Sequence, residues 1–263
     1  MWYKISGVLL LFLFFFTWLP SHHDVADEKG RFYFEKRGEA IWEVPTDRKV
    51  MALTFDDGPS PKSTPGILDV LKKYNANATF FVTGENVKKY PELVRREVRE
   101  GNEVGNHTYT HPSFRGASRE QILKQIEKTE QAIQEVIHQT PTLFRPPEGY
   151  YNETIINAAR EKGYTVVMWS WDQDTMDWSR PGVGSIVQKV VTHASNGDIV
   201  IFHDYVPGRT QTIAALKEIL PELKEEGYEF VTVSEMLELR KEDQWLKKEL
   251  GPQEKEKGRK FNG

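Results

Sequence analysis

The chain contains no cysteine, so disulfides, thiolate-bound zinc and a cysteine nucleophile are all excluded, and any metal must be held by His, Asp or Glu. It also lacks a basic excess: 35 Lys and Arg face 39 Asp and Glu, a formal charge of −4, which gives no electrostatic footing for a nucleic-acid partner. No apolar run reaches the roughly 20 residues that a membrane-spanning helix requires. No linker sets off a separate binding module. What is present is an ordinary soluble balance, 38% hydrophobic and 28% charged over 263 residues, enough for one catalytic-sized domain with a full core.

The longest apolar run, Ile5 to Leu19, follows Lys4 and ends at Pro20. That is the length of a signal-peptide core. Cleavage after Ala26 would leave Asp24 where a small residue is wanted, so residues 1–20 are expected to be either a signal peptide or an uncleaved membrane anchor, with Trp2, Tyr3 and Trp18 as interfacial aromatics. Residues 21–47 read as a polar linker, 48–240 as the folded domain, and 241–263 as a charged tail whose end is expected to be disordered.

Within the domain, β-rich runs at 50–55, 78–82, 103–107, 142–145, 165–171, 198–203 and 229–233 alternate with helix-period stretches at 62–74, 85–100, 118–138, 152–162, 182–194, 209–226 and 234–240. Ser118 with Gln121, and Asn152, are helix starts; Gly101, Gly163 and Gly227 are helix stops. This alternation predicts parallel strands joined by crossovers, either an α/β barrel or a doubly wound sheet. Asp56, His107, Arg145, Asp174 with Asp177, and His203 fall at the C-terminal ends of different strands. Such dispersed ends converge on one face only in a barrel, which favours that choice.

Asp56 and Asp57 stand side by side in "TFDDGPSP", where two unpaired charges would be costly if buried. A positive partner should lie nearby. His107 and His111 in "HTYTH" are four apart, but the threonines and Pro112 argue for a turn and not a helix. Two imidazoles and one carboxylate form the His₂-carboxylate set that binds a catalytic zinc with positions left open. The second aspartate is then free to act as a base, because successive side chains leave a strand in different directions.

"TFDDGPSP", "HTYTH", "RPPEG", "DTMDW" and "IFHD", in this order, resemble the five motifs of the polysaccharide deacetylase family, carbohydrate esterase family 4, also called the NodB homology domain. The resemblance runs from about residue 50 to 240. It implies a distorted (β/α)7 barrel that removes acetyl groups from N-acetylated sugars of peptidoglycan or chitin, or from acetylated xylan. By the same resemblance Asp56 is the general base and Asp57, His107 and His111 are the metal ligands. Zinc is the expected ion, with cobalt or another divalent ion as the alternative. Arg145 is expected to hold Asp56 in place by charge-assisted hydrogen bonding, and Asp177 to orient His203, the acid that protonates the departing amine. Trp178 and Ile201 are expected to form the pocket for the acetyl methyl, and the backbone N–H of Glu148 to stabilise the oxyanion.

Many relatives carry Tyr where this chain has Glu148, whose carboxylate is expected to point outward. Tyr150, with Tyr151, is a candidate for lining the glycan groove. The resemblance implies a polysaccharide partner; a monomer is expected, and with the apolar N-terminal run a place at the cell surface or outside the cell, with membrane contact through that run.

Overall fold

The computed structural model describes residues 29–205 and 210–250. The expected signal or anchor segment, the first residues of the expected linker and the end of the charged tail lie outside the described residues. Among the described residues no helix is long and apolar enough to cross a membrane.

All seven expected strands are found. They are β2 (Val50–Asp56), β3 (Ala78–Val82), β4 (Glu103–Asn106), β5 (Leu143–Phe144), β6 (Thr165–Val167), β7 (Asp198–His203) and β8 (Glu229–Phe230), preceded by an additional β1 (Ala40–Ile41). They form one parallel sheet in the order β1-β6-β5-β4-β3-β2-β7, with β8 also paired to β2. The sheet curves into a half-barrel with helices on its outer side. Between β6 and β7 the chain is irregular: the Ser170 N–H donates to Ile199 O at 2.9 Å, and the Ile201 N–H donates to Gln173 O at 3.1 Å. The strand expected over 165–171 therefore ends at Val167, because its last residues leave the ladder to bridge towards β7.

β2 is buried along its whole length, and its two faces do different work. Met51, Leu53 and Phe55 pack outward against α2 (Thr64–Lys73) and α8 (Thr212–Glu225), with Phe55 stacked between Phe80 and Phe202. Val50 and Ala52 point to the inner cluster with Phe81, Leu143 and Val167. Thr54 and Asp56 continue that inner row by the two-residue period of a strand. Burying the outer row alone is worth about 1.5–3 kcal/mol per large side chain.

Three expectations are corrected. Residues 31–47 are not a linker: α1 (Arg31–Lys36) and β1 belong to the fold, with Phe34, Ala40, Trp42 and Val44 buried. A two-residue strand is too short to show a period, and the charged residues around Phe34 hide its role. The helix expected over 85–100 is split into α3 (Gly84–Lys89) and α4 (Pro91–Arg99), since Pro91 disfavours helical backbone at Tyr90, which takes φ −131° and ψ 53°. The last helix, α9 (Val233–Leu250), extends past 240 into the expected tail.

The remaining elements follow the sequence. α5 (Arg119–Ile137) opens with a Ser118–Gln121 capping box, and α6 (Glu153–Glu161) with Asn152 accepting from the Ile155 N–H. Gly163 ends α6 in the left-handed region. α7 (Val183–Thr192) leads into β7.

Candidate active site

Strand register places the first two groups. Asp56, last in β2, lies directly beside His203, last in β7. Arg145 follows β5 by one residue and is fully buried. Its Nη1 donates to Asp56 Oδ1 at 2.8 Å and to Thr54 Oγ1 at 2.7 Å; Nη2 and Nε donate to Met168 O at 2.7 Å and Val167 O at 3.0 Å. Phe81 lies under the guanidinium at 4.2 Å. Burial pulls the Arg145 pKa down and the Asp56 charge opposes it. A buried cation with this many acceptors is held in one orientation, and so is the carboxylate it grips.

Asp57 turns the other way. Its backbone is left-handed, φ 76°, and its carbonyl accepts from Asn86 Nδ2 at 2.8 Å. The His107–His111 segment is a turn, as its sequence predicts, with Thr108 at φ 67° and His111 at φ 52°. Positive φ is rare for non-glycine residues and costly for a β-branched one. Gln125 of α5 holds this turn, its Oε1 accepting from the N–H groups of Tyr109 at 2.8 Å and Thr110 at 3.0 Å.

His107 Nδ1 lies 2.8 Å from Arg145 O. A carbonyl only accepts, so Nδ1 carries a proton and Nε2 is the ring nitrogen turned towards Asp57. Asp57 Oδ1 sits 3.4 Å from His107 Nε2 and 3.3 Å from His111 Nε2, yet it is buried with no hydrogen-bond donor among the described residues. The three ligand atoms all lie within 4.8 Å of one another. Ligands bonded to a tetrahedral zinc at about 2.0–2.1 Å lie about 3.4 Å apart, so these donors fit a divalent ion, which would satisfy the orphaned oxygen.

On the far side, burial would lower the His203 pKa, but Asp177, assisted by the charges of Asp56 and Asp57, pushes it up to about 9. Asp177 is buried in a short 3-10 turn (Asp177–Ser179) and also accepts from the Thr212 hydroxyl.

These groups share a cavity of about 410 Å³, lined by Asp56, Asp57, His107, His111, His203, Ile201, Trp178, Trp169, Asp174, Met176, Glu148 and Gly149. Arg145 and Asp177 stand behind its wall. Ile201 is buried, while Trp178 is 52% exposed at the rim. The Glu148 carboxylate points outward as expected, accepting from Ser113 Oγ at 3.2 Å. Tyr150 does not line this cavity: past Gly149, at φ 61°, the chain turns away, and Tyr150 lines a neighbouring one. Trp169 shares in the cavity wall and Trp171 projects elsewhere, 82% exposed.

Sequence reasoning missed Thr54, Thr212, Gln125 and Met176. The inward period of β2 could have found Thr54. The other three act from loops or a helix face with no pattern of their own.

Comparison with known proteins adds to this geometry. Residues 43–167 match the family model described as polysaccharide deacetylase. A peptidoglycan-N-acetylglucosamine deacetylase of Bacillus cereus is 49% identical over 203 residues, covering 77% of this chain and 95% of the relative. Another, PgdA of Listeria monocytogenes, is 43% identical over 81% of this chain but only 44% of its own length. The crystal structure of a peptidoglycan N-acetylglucosamine deacetylase in complex with a hydroxamate-type benzamide superposes with a TM-score of 0.75 at 35% identity, covering 79% of this chain and 96% of that one.

Proposed function

The chain belongs to the polysaccharide deacetylase family, and from that premise we propose that it removes the N-acetyl group from the N-acetylglucosamine of peptidoglycan, releasing acetate. The observation that carries this reading is the arrangement of three groups about one cavity: the carboxylate of Asp56 gripped by Arg145, the imidazole of His203 gripped by Asp177, and the metal-ligating set Asp57, His107 and His111.

Asp57, His107 and His111 would hold a divalent ion, with zinc proposed first and cobalt next. When bound, the ion supplies Lewis acidity towards the acetamide oxygen and the attacking water. Asp56, fixed by Arg145, takes a proton from that water as it attacks the carbonyl carbon. His203 carries the other proton: its Nδ1 is held by Asp177, so Nε2–H is the one to give to the sugar nitrogen as the C–N bond breaks. An amine leaves poorly without a proton, and a raised pKa keeps His203 charged at neutral pH. The products are acetate and the free amine. Ile201 and Trp178 receive the acetyl methyl, and the Glu148 backbone N–H supports the oxyanion.

The chain is proposed to work as an exported monomer at the cell surface, tethered or released; the apolar run Ile5 to Leu19 supports export. The test is acetate release by the purified chain from peptidoglycan fragments and chitooligosaccharides in parallel, after chelation and after zinc or cobalt is restored. Metal-restored release from peptidoglycan is expected. Release from chitooligosaccharides alone would move the substrate to that class, and release from neither would overturn the reading.

A further inference from the structure

A second cavity of about 470 Å³ adjoins the first, with Glu148 and Gly149 lining both. A polymer whose acetamide sits in one has room for a neighbouring sugar in the other. The floor of this second cavity is firmly built. Tyr151 packs edge-on against Trp42 at 5.1 Å and Phe34 at 6.0 Å, the two buried aromatics of the segment that the sequence presents as a linker.

Its charges are unevenly satisfied. Lys29 is paired with Glu153 at 2.6 Å. The Glu148 carboxylate is drawn towards Ser113. Arg115 is exposed, its guanidinium carbon 4.3 Å from the centre of the Tyr150 ring, and no salt bridge joins it to a carboxylate among the described residues. An arginine stacked on an aromatic face keeps its planar fork free and oriented, which suits two-point recognition of a carboxylate.

We propose that this cavity is a subsite for the sugar next to the one deacetylated, and that Arg115, stacked on Tyr150, binds a carboxylate which that sugar carries. The inference rests on the deacetylase reading above and narrows its substrate. The chemistry required is a hexosamine bearing an acid, met in peptidoglycan by the lactyl ether of the alternate sugar or by the peptide attached to it. A neutral glycan offers Arg115 hydroxyl and acetamide acceptors but no carboxylate to match its charge and fork. Glu148, at the junction, has the opposite sign and weakens the same contact.

The test uses the full chain and four tetrasaccharides of equal length: peptidoglycan glycan with free lactyl groups, the same with those groups amidated, the peptide-bearing form, and chitotetraose. Binding is read by calorimetry, and acetate release is read separately on the same four. Arg115→Ala is expected to weaken binding of a carboxylate-bearing glycan roughly fivefold, with the amidated and neutral glycans unmoved. Arg115→Lys should recover part of this loss, and Glu148→Gln should tighten the carboxylate-bearing forms. A loss confined to the peptide-bearing form assigns the peptide's acid; a loss on the free lactyl form assigns the lactyl group. Equal losses on all four glycans would overturn recognition of a carboxylate by Arg115, and no loss on any would overturn the subsite as well. Discrimination by Arg115 without acetate release would leave the subsite standing and remove the deacetylase reading, so the two fail separately.

Discussion

Asp177 grips His203 at two points: its Oδ1 lies 2.8 Å from the ring Nδ1, and its Oδ2 accepts the backbone N–H of the same residue at 3.0 Å. One carboxylate thus fixes both the ring and the strand end that carries it. The charge it adds is what raises the His203 pKa against the pull of burial.

The pH dependence follows with a definite sign. The His203 pKa lies above its ordinary 6.5, at about 9, so the imidazolium stabilises the fold fully below about 6.5, and that stabilisation is lost as pH rises through about 9. Activity should fall over the same alkaline range. Asp177→Asn removes the charge that raises the pKa, and the alkaline limb of kcat/KM should move down towards 6.5. A pH–rate profile checks this; a limb that stays in place would remove His203 as the acid.

Removing Arg145 takes away the guanidinium that grips buried Asp56 and leaves its Oδ1 without that donor. Arg145→Met should lower unfolding free energy by about 3–5 kcal/mol, read by urea denaturation. Asp56→Asn keeps an acceptor for Arg145 and should be milder in stability. Its activity should drop by roughly 10²–10⁴-fold, as expected for loss of a general base, with metal stoichiometry retained. Full activity in Asp56→Asn would dismiss Asp56 as the base.

Because Asp57 Oδ1 has no hydrogen-bond donor among the described residues, a divalent ion should stabilise the native state. At a hundredfold excess over the dissociation constant the gain is about 2.7 kcal/mol. Differential scanning calorimetry should show Tm rising with zinc in the native chain and little response in Asp57→Ala or His111→Ala. A native Tm indifferent to zinc and cobalt would count against the metal site.

Gly58, directly after the aspartate pair, has no room for a side chain: a Cβ there would lie 2.1 Å from both carboxylate oxygens of Asp204. Asp204 is fully buried, its N–H donates to Asp56 O at 3.1 Å, and it accepts from the Thr64 hydroxyl. Gly58→Ala should therefore cost about 1–3 kcal/mol through forced displacement of the turn. Adding Asp204→Ala should return part of that loss. Thermal unfolding of the two single variants and the double variant checks the coupling; simple additivity would show that the two residues act independently.

The sequence is legible where chemistry and period coincide. Asp56, His107, Arg145 and His203 are chemically unusual residues at the ends of recognisable strands, and the structure brings them together on one face. Phe34 and Trp42 were hidden because α1 is too short to show a helical period, its neighbouring aromatics Phe32 and Tyr33 being exposed, and β1 is too short to alternate. Thr212 could not be read as a partner of Asp177 because only the return of the chain into α8 brings them together. Tyr150 was placed near the glycan by its position after Gly149, yet the left-handed turn there sends it into the adjoining cavity.

Asp57, Thr108, His111 and Glu148 share left-handed backbone, and all but Thr108 line the cavity. Such backbone costs of order 1–3 kcal/mol per residue. A laboratory selection for heat resistance alone should therefore find its gains here first, by glycine or asparagine at positions such as Thr108. Each gain would loosen the turn that aims His107 and His111. For this fold, durability and turnover are set at the same few peptide units, and improving one without watching the other would erode the site before the scaffold.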